Sequence, residues 1–373
     1  MRIIKMETIP LHLPVKAPLI ESGGVFNEFN HVLIKLHTDT GTVGIGEIEA
    51  YPSFERLGVE TQEGILAILK NYLEPCILDQ DPFNLVNIWQ KMDKAVEGYL
   101  RVKAGVDIAL YDLLGKHLGI PTYNLLGGQV RSEYDVEGVG YGISIDKPEK
   151  VAQIAKKAVI GGYKELELKG GDENPDMDIE RLKLVREAIG GKIPIKIDFN
   201  GYYDTKTAIR ILKEMEKYGL QWAEQPVKYW DLEGLSMVRQ AVNVKIVVDE
   251  CVETPQDLIK VIDKKAADAV HIKPTIKGGL STAKKLSAIA EAAGLDVIPG
   301  TSAPTGVGMS AAQSFLASVP KASRGIHGSP LDILVEDIIA DPIPPNSTRI
   351  KISNKPGLGI ELNEKVVKKY RVD

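Results

Sequence analysis

The sequence predicts an α/β fold in which a parallel (β/α) barrel follows a smaller α+β domain. Strands and helices alternate strictly from residue 134 to about residue 330, and eight short apolar segments in this region have the composition of strands. Five of these segments end in an ionisable residue, and the successive charged ends are separated by 29, 26, 25 and 24 residues. That interval equals one strand, one helix and two loops, so a barrel would bring all five side chains to one face.

The first 125 residues have a different order of elements. A strand at residues 1–15 and a hairpin over residues 31–47 come first. The predicted helices that follow are 61–73, 82–92 and 102–118. A block of strands followed by a block of helices indicates an α+β domain. We therefore predict an α+β domain at 1–125, the barrel at 126–330, and a tail at 331–373 that returns to the first domain.

The barrel prediction is based on regular alternation over about 200 residues. The eight predicted strands are 134–142, 164–169, 193–198, 220–224, 245–249, 269–273, 296–299 and 324–327. The segments between them carry apolar residues at helical spacing, as at Ile179, Leu182 and Val185. Thr254 before Pro255 is typical of a helix start, because the threonine hydroxyl accepts a hydrogen bond from an amide of the first turn and proline fits that turn. Eight is the strand number of a (β/α) barrel.

Composition and charge exclude several classes of protein. The chain has 373 residues, 44% hydrophobic and 26% charged, which is a normal composition and enough length for two domains. A net charge of -5, with lysine and arginine dispersed, argues against a nucleic-acid partner. No segment approaches the roughly 18 apolar residues of a membrane span. Two distant cysteines, Cys76 and Cys251, and an N-terminus unlike a signal peptide indicate a cytoplasmic protein.

Three acids, Asp198, Glu224 and Asp249, end three successive predicted strands. Each one alone could be a helix cap, which is a common use of acids at strand ends. Three neighbouring carboxylates, however, repel one another unless a cation lies between them. Oxygen ligands in this number prefer Mg²⁺, or Mn²⁺ in its place, and the lack of His and Cys disfavours zinc. The sequence therefore predicts a magnesium site with positions open to a substrate carboxylate.

Two lysines, Lys169 and Lys273, end the second and sixth predicted strands, on opposite sides of the barrel mouth. A single lysine at a strand end is usually solvated or paired with an acid. A nearby divalent cation disfavours an ammonium, so such a lysine can accept a proton near neutral pH. Removal of a proton α to a carboxylate leaves an enediolate, whose added charge the cation stabilises. We expect this lysine pair to be the acid/base pair.

The motifs at these strand ends resemble those of the enolase superfamily, and within it the muconate lactonizing enzyme (muconate cycloisomerase) subgroup. The similarity covers essentially the whole chain. The motifs are Asp198-Phe199-Asn200, Glu224-Gln225-Pro226, Asp249-Glu250, Lys273-Pro274 and Gly278-Gly279, with Leu125-Leu126-Gly127-Gly128 at the domain junction. The resemblance implies a TIM-type barrel, a capping domain completed by the tail, and a homo-oligomer. It also implies metal ligands at Asp198, Glu224 and Asp249 and an acid/base pair at Lys169 and Lys273.

One position departs from the pattern of this subgroup. Its members usually end the second strand with Lys-x-Lys, whereas this chain has Glu167-Leu168-Lys169. Strand alternation places Glu167 on the same side as Lys169. A negative neighbour favours the charged form of Lys169 and removes a contact with the substrate carboxylate. Two hypotheses follow: Glu167 pairs with Lys169, or it binds a cationic group of the substrate.

Four other residues are candidates for substrate binding. Asn200 follows the first predicted metal ligand, Thr301 and Ser302 follow the seventh strand, and His327 ends the eighth. Loop hydroxyls usually make only local hydrogen bonds, and a lone histidine is as often structural as it is a ligand. The mandelate racemase branch of the superfamily would place a histidine at the end of the seventh strand, where this chain has none.

Two glycine-containing segments are further candidates, one for a lid over the site and one for a phosphate-binding site. Residues 19–24 resemble a lid that closes over the site in similar proteins, and an ordinary turn is the alternative. Gly278 and Gly279 precede a predicted helix, whose free amides could bind a phosphate. No nucleotide-binding motif supports the phosphate hypothesis.

We expect an enzyme that removes a proton α to the carboxylate of a small molecule. Two bases on opposite faces suit a racemase or epimerase of a carboxylic acid or amino-acid derivative, which we rank first. One base and one electrostatic lysine suit a muconate-type cycloisomerase or a dehydratase. A metal-dependent hydrolase would use histidines such as His271 or His327 and contain zinc. A binding protein without catalysis is the remaining alternative.

Overall fold

The N-terminal part of the chain forms an antiparallel sheet of three strands, β1 (Ile3–Glu21), β2 (Gly24–Thr38) and β3 (Val43–Ala50). The structure, a computed structural model, describes residues 1–21, 24–50 and 60–372. The predicted hairpin is present as β2 and β3. Of the predicted lid, Ser22 and Gly23 lie outside the described residues.

Helices pack against this sheet. They are α1 (Gln62–Ile68), α2 (Glu74–Ile77), α3 (Leu85–Ala95), α4 (Leu100–Leu118) and α5 (Thr122–Leu125), with a π-helical turn at Leu69–Leu73. Helix α4 is buried along most of its length because it lies against β3 on one side and the barrel on the other. Two glycines of β3 permit this close packing: a Cβ on Gly44 would lie 2.2 Å from the Ala109 carbonyl oxygen, and one on Gly46 would lie 2.0 Å from that of Gly105.

A Gly46→Ala substitution is expected to lower the free energy of unfolding by about 1–3 kcal/mol, because the added methyl group forces β3 and α4 apart. Chemical denaturation measures this change. Gly191→Ala is the matched control, since a Cβ there meets no atom within 4 Å. Equal stability of the two variants would contradict the close packing of β3 on α4.

The second part of the chain is built on a parallel sheet. After the short strand β4 (Glu133–Asp135), its six strands are β5 (Leu166–Lys169), β6 (Ile195–Asp198), β7 (Trp222–Glu224), β8 (Lys245–Val248), β9 (Ala269–Ile272) and β10 (Asp296–Pro299). Neighbours in the sheet are consecutive along the chain, from β5 at one edge to β10 at the other. The intervening helices are α6 (Pro148–Ile160), α7 (Pro175–Ile189), α8 (Thr205–Met215), α9 (Leu232–Ala241), α10 (Pro255–Asp263), α11 (Gly279–Ala293) and α12 (Gly306–Ser318). This curled sheet and its helices confirm the predicted α/β barrel class.

Irregular segments, and not regular strands, close the barrel. The closing contacts are the isolated bridges Ile143 to Leu168 and Val297 to Ala322, and a hydrogen bond of 3.0 Å from the Glu137 amide to the Ile326 carbonyl. The predicted first strand, 134–142, is therefore wrong beyond residue 135. Gly138, Gly140 and Gly142 have φ values of 72°, 57° and 99°, and this left-handed backbone interrupts a strand. The predicted eighth strand, 324–327, is likewise not a regular strand.

The tail contacts both parts of the molecule. Its strand β11 (Arg349–Lys351) pairs with β4. Isolated bridges join Val15 to Leu334 and Leu11 to Arg371, next to the last helix, α13 (Glu364–Tyr370). The domain limits themselves stay a prediction. Among the described residues, no helix has the length and apolarity needed to cross a bilayer.

Candidate active site

The charged ends of the parallel strands lie side by side. Lys169 pairs with Asp198 in the register of β5 and β6, and Asp198 pairs with Glu224 in that of β6 and β7. Asp249 and Lys273 directly follow β8 and β9. All five residues are buried, with exposed fractions of 1% to 8%. The fold thus brings the three predicted metal ligands and the two predicted acid/base lysines to one end of the barrel.

The two lysines contact different carboxylates. Lys169 Nζ lies 2.9 Å from Asp198 Oδ2 and 2.9 Å from Glu167 Oε1. Lys273 Nζ lies 2.5 Å from Asp249 Oδ2. Three strands separate β5 from β9 in the sheet. The ammonium groups therefore approach the row of acids from opposite sides.

The central acid, Glu224, lies between two nitrogen groups. Its Oε2 is 2.6 Å from Lys196 Nζ, and its Oε1 is 2.7 Å from His271 Nδ1. Burial, with the charges of Lys196 and Lys273, holds the pKa of His271 well below its usual value, so the imidazole is neutral. Ligand atoms of Glu224, Asp249 and His271 all lie within 4.8 Å of one another, which is a separation suited to a shared metal ion.

Among the described residues, Asp198 lies beside this group and not within it. Its Oδ2 accepts hydrogen bonds from Lys169 Nζ at 2.9 Å and from Asn200 Nδ2 at 3.0 Å. Asn200 has a φ of 45°, a left-handed conformation that asparagine tolerates, and its Nδ2 also donates to Glu250 Oε1 at 3.0 Å. Asn200, which we predicted to bind substrate, thus contacts a predicted metal ligand.

Burial and mutual repulsion of the acids favour a bound cation. Burial raises the pKa of Asp198 and of Glu224, and each neighbouring carboxylate adds to the rise. For Asp249, burial is outweighed by Lys273 and Lys277, which hold its pKa well below the usual range. Carboxylates whose charged form is disfavoured in this way gain from a nearby cation. Three acids from adjacent strand ends form an oxygen ligand set that fits Mg²⁺.

Two further lysines, which are not among the predicted site residues, belong to this site. Lys196 is fully buried, and its Nζ lies 2.9 Å from Glu167 Oε2 and 3.1 Å from Glu137 Oε1. Strand alternation could have identified it, because it precedes Asp198 by two residues on β6. Lys277 Nζ lies 2.5 Å from an Asp249 oxygen, yet it is in a loop where no local pattern distinguishes it.

Glu167 has both of its carboxylate oxygens paired with nitrogen groups of the protein. It is 1% exposed; its Oε1 contacts Lys169, and its Oε2 contacts Lys196 and lies 3.3 Å from His327 Nε2. Burial would raise the pKa of Glu167, but Lys169 and Lys196 hold it well below the usual value. The ionised side chain therefore pairs with Lys169. This geometry favours the first of our two hypotheses over the binding of a substrate cation.

His327 joins the loop after β10 to strand β5. Its Nδ1 lies 3.0 Å from Thr301 Oγ1, and its Nε2 lies 3.3 Å from Glu167 Oε2. The ring of Tyr141 packs edge-on at 5.0 Å from its ring. Ser302 follows Thr301 in the same loop and is partly buried. Of the predicted substrate contacts, Thr301 and His327 are thus joined to the Lys169 side of the site.

The proposed phosphate site at Gly278 and Gly279 is wrong, because a carboxylate of the protein lies there. Asp107 of α4 accepts hydrogen bonds from the Ser281 amide at 3.0 Å and the Ser281 hydroxyl at 2.6 Å. A Cβ on Gly279 would lie 2.3 Å from Asp107 Oδ2. The start of α11 therefore binds an acid from α4.

Comparison with known proteins identifies the family. Residues 3–127 match the family described as "Mandelate racemase / muconate lactonizing enzyme, N-terminal domain", and residues 150–366 match "Enolase C-terminal domain-like". The L-Ala-D/L-Glu epimerase of Clostridium acetobutylicum is 36% identical over 94% of this chain and 96% of its own length. The N-succinyl-L-Arg/Lys racemase of Bacillus cereus is 30% identical over 100% of this chain and 98% of its own.

A solved structure supports the same relationship. The dipeptide epimerase of Enterococcus faecalis, complexed with Mg and the dipeptide L-Leu-L-Tyr, has a TM-score of 0.88 at 29% identity, covering 97% of this chain and 100% of that one. The two relatives and this structure are all isomerases. These matches confirm the resemblance that the strand-end motifs indicated. The chain therefore belongs to the mandelate racemase/muconate lactonizing enzyme family of the enolase superfamily, and it is an isomerase of that superfamily.

Proposed function

We propose that this protein is a Mg²⁺-dependent racemase or epimerase that acts at the carbon α to the carboxylate of an N-acyl amino acid or a dipeptide. The observation that carries the proposal is the position of Lys169 and Lys273, two buried lysines on opposite sides of a row of three acids. Inversion at carbon requires one group to remove a proton from one face and another to return a proton to the opposite face.

In this proposal Asp198, Glu224 and Asp249 hold the metal, and Mn²⁺ can replace Mg²⁺. A metal held there would supply positive charge, which makes a proton α to a carboxylate more acidic. Lys169 and Lys273 exchange roles as base and acid, depending on which enantiomer is bound. Glu167, Lys196 and Asn200 orient the charged groups through the contacts described above. Buried surroundings strengthen these electrostatic interactions because they exclude water.

The relatives support the proposed substrate class. The two most informative ones act on L-Ala-D/L-Glu and on N-succinyl-L-Arg/Lys, whose common element is an amino acid with an acylated nitrogen and a free carboxylate. A small carboxylate of this kind is the proposed substrate. A cytoplasmic location, a homo-oligomer and the absence of a nucleic-acid partner stay predictions.

Deuterium exchange tests the proposal. The protein is incubated in D₂O and MgCl₂ with both enantiomers of N-succinyl amino acids and with a panel of dipeptides. We expect deuterium at the α-carbon and loss of optical rotation, and both should stop when EDTA removes the metal. Deuterium exchange at the α-carbon without inversion of its configuration would favour a cycloisomerase or a dehydratase over the racemase or epimerase.

One observation would suit a zinc hydrolase: ligand atoms of His271, Glu224 and Asp249 are close enough to share an ion. Zinc suits a set that includes a histidine. However, His271 Nδ1 already contacts Glu224 Oε1, and a Cβ on Gly300 would lie 1.7 Å from its Nε2, so the ring is tightly packed. The tight packing and the isomerase relatives therefore disfavour a zinc hydrolase, and stoichiometric zinc with hydrolysis of the panel but no α-exchange would contradict the racemase proposal.

A further inference from the structure

Two buried acids of the N-terminal sheet face the barrel. On β3, Gly44, Gly46 and Ile48 alternate with Glu47 and Glu49; the two glycines pack on α4, so the two acids point to the opposite side. Glu47 is 1% exposed and Glu49 is 0% exposed. Carboxylates are costly to bury unless donors surround them. We refer to Glu47 and Glu49 as the β3 carboxylates.

Glu47 binds the start of barrel helix α12. Its Oε1 accepts a hydrogen bond from the Thr305 amide at 2.9 Å, and its Oε2 accepts from the Thr305 hydroxyl and the Gly308 amide, both at 2.8 Å. His31 Nδ1, from β2, lies 2.6 Å from Oε1. The first amides of a helix lack partners within the helix, and its N-terminus favours a negative charge. An acid of the N-terminal sheet thus anchors a helix of the barrel.

Glu49 binds the loop that precedes this helix. Its Oε2 accepts a hydrogen bond from the Ala303 amide at 2.7 Å. Ala303 comes directly after Thr301 and Ser302, the two loop residues that we predicted to contact substrate. Burial raises the pKa of Glu49. Glu49 therefore contacts the loop that carries Thr301 and Ser302.

The loop after β10 is held at both ends. The Gly300 amide donates to the Ile272 carbonyl at 2.9 Å, and the Gly306 amide donates to Asp337 Oδ1 of the tail at 2.9 Å. Between these two points, the β3 carboxylates are the acceptors for the Ala303 and Thr305 amides. Thr301, which contacts His327, lies between the Gly300 and Ala303 amides that are held in this way.

We propose that Glu47 and Glu49 are positioning residues of the active site, through which the N-terminal sheet sets the substrate-facing loop 301–305. This inference rests on the proposed function, since it assumes that Thr301 and Ser302 contact the bound carboxylic acid. It assigns a role in substrate binding to acids that lie outside the row of strand-end residues. The β3 carboxylates act through the loop and do not touch the reacting atoms.

We expect substitutions of Glu47 and Glu49 to have different effects. Glu49 accepts its described backbone hydrogen bond through one oxygen, so the carbonyl oxygen of glutamine can replace it in Glu49→Gln, whereas Glu49→Ala loses the bond. Glu47 accepts hydrogen bonds through both oxygens. In Glu47→Gln the side-chain NH₂ group would replace one of these oxygens and lie opposite a hydrogen-bond donor. Glu7→Gln is the matched control, because Glu7 contacts Lys5 and His37 within the N-terminal sheet.

The test measures KM, kcat and backbone hydrogen exchange of residues 299–308 in the Mg²⁺-loaded protein, with a substrate from the exchange panel. For Glu49→Ala we expect a rise in KM of about tenfold, a kcat within a few-fold of wild type, and faster exchange of this loop. Glu49→Gln and Glu7→Gln should resemble wild type. Glu47→Gln should resemble Glu49→Ala or be more strongly affected.

Three results would overturn the inference: an unchanged KM in Glu49→Ala with an equally protected loop, the same loss in Glu49→Gln, or a loss of protection spread over the whole barrel. Hydrogen exchange does not depend on turnover. If wild type itself processed no member of the panel, the proposed function would fail, and the loop measurement would still decide whether Glu49 holds residues 301–305.

Discussion

Lys169→Met is expected to abolish α-proton exchange from one enantiomer of the substrate, and Lys273→Met is expected to abolish it from the other. Methionine preserves most of the side-chain length and removes the proton-accepting nitrogen. General acid/base groups contribute about 10²- to 10⁴-fold to a rate. The racemisation rate of each variant should therefore fall by about 10²-fold or more. Proton NMR of each enantiomer in D₂O separates the two half-reactions.

The structure explains why the two losses should differ. Lys169 contacts Asp198 and Glu167, whereas Lys273 contacts Asp249 on the far side of the row of acids. We therefore expect each lysine to face only one side of a substrate held between them. Lys264→Met is the control, because Lys264 pairs with Glu233 on the surface. Exchange from both enantiomers that survives in both single variants would end the two-lysine assignment.

Lys196→Met is expected to lower the free energy of unfolding by about 3–5 kcal/mol, the usual cost of removing one partner from a buried ion pair. Lys196 is 0% exposed and lies 2.6 to 3.1 Å from oxygens of Glu137, Glu167 and Glu224. Without it, three buried carboxylates lose a shared counter-charge. Urea denaturation at neutral pH measures the change.

The loss of unfolding free energy in Lys196→Met should become smaller at low pH. Burial acts to raise the pKa of Glu137, but Lys196 and Arg324 outweigh it and lower the value to about 2, from an ordinary 4.5. The stability that Glu137 contributes is thus present above about pH 4.5 and is lost as the pH falls towards 2. The difference between wild type and Lys196→Met should therefore narrow on acidification through this range.

An exposed ion pair provides the comparison for this prediction. The side chains of Lys264 and Glu233 are 50% and 70% exposed, so Lys264→Met should cost no more than about 1 kcal/mol. A Lys196→Met variant as stable as Lys264→Met would show that the buried lysine contributes little. A large loss in both variants would point to an effect of methionine itself.

Sequence reasoning located the row of acids and lysines because each one ends a strand. The apolar segments and their spacing are local features, and in a parallel barrel the ends of successive strands must meet at one face. The same reasoning could have reached Lys196, since β6 alternates between its two faces. The predictions for the first and eighth strands were wrong, because both segments are irregular. In the first segment, three glycines with positive φ interrupt the strand.

The amino-acid sequence by itself determined the family, the barrel class, and that the three acids and two lysines at its strand ends share the barrel mouth. Only the tertiary structure decided which groups these side chains contact: Glu167 with Lys196 and His327, and Glu49 with the Ala303 amide. The partners in the last two contacts are separated by 160 and 254 residues in the chain. Local periodicity encodes the direction of a side chain along its own element, whereas such partners depend on how the N-terminal sheet, the loops and the irregular closing segments pack together.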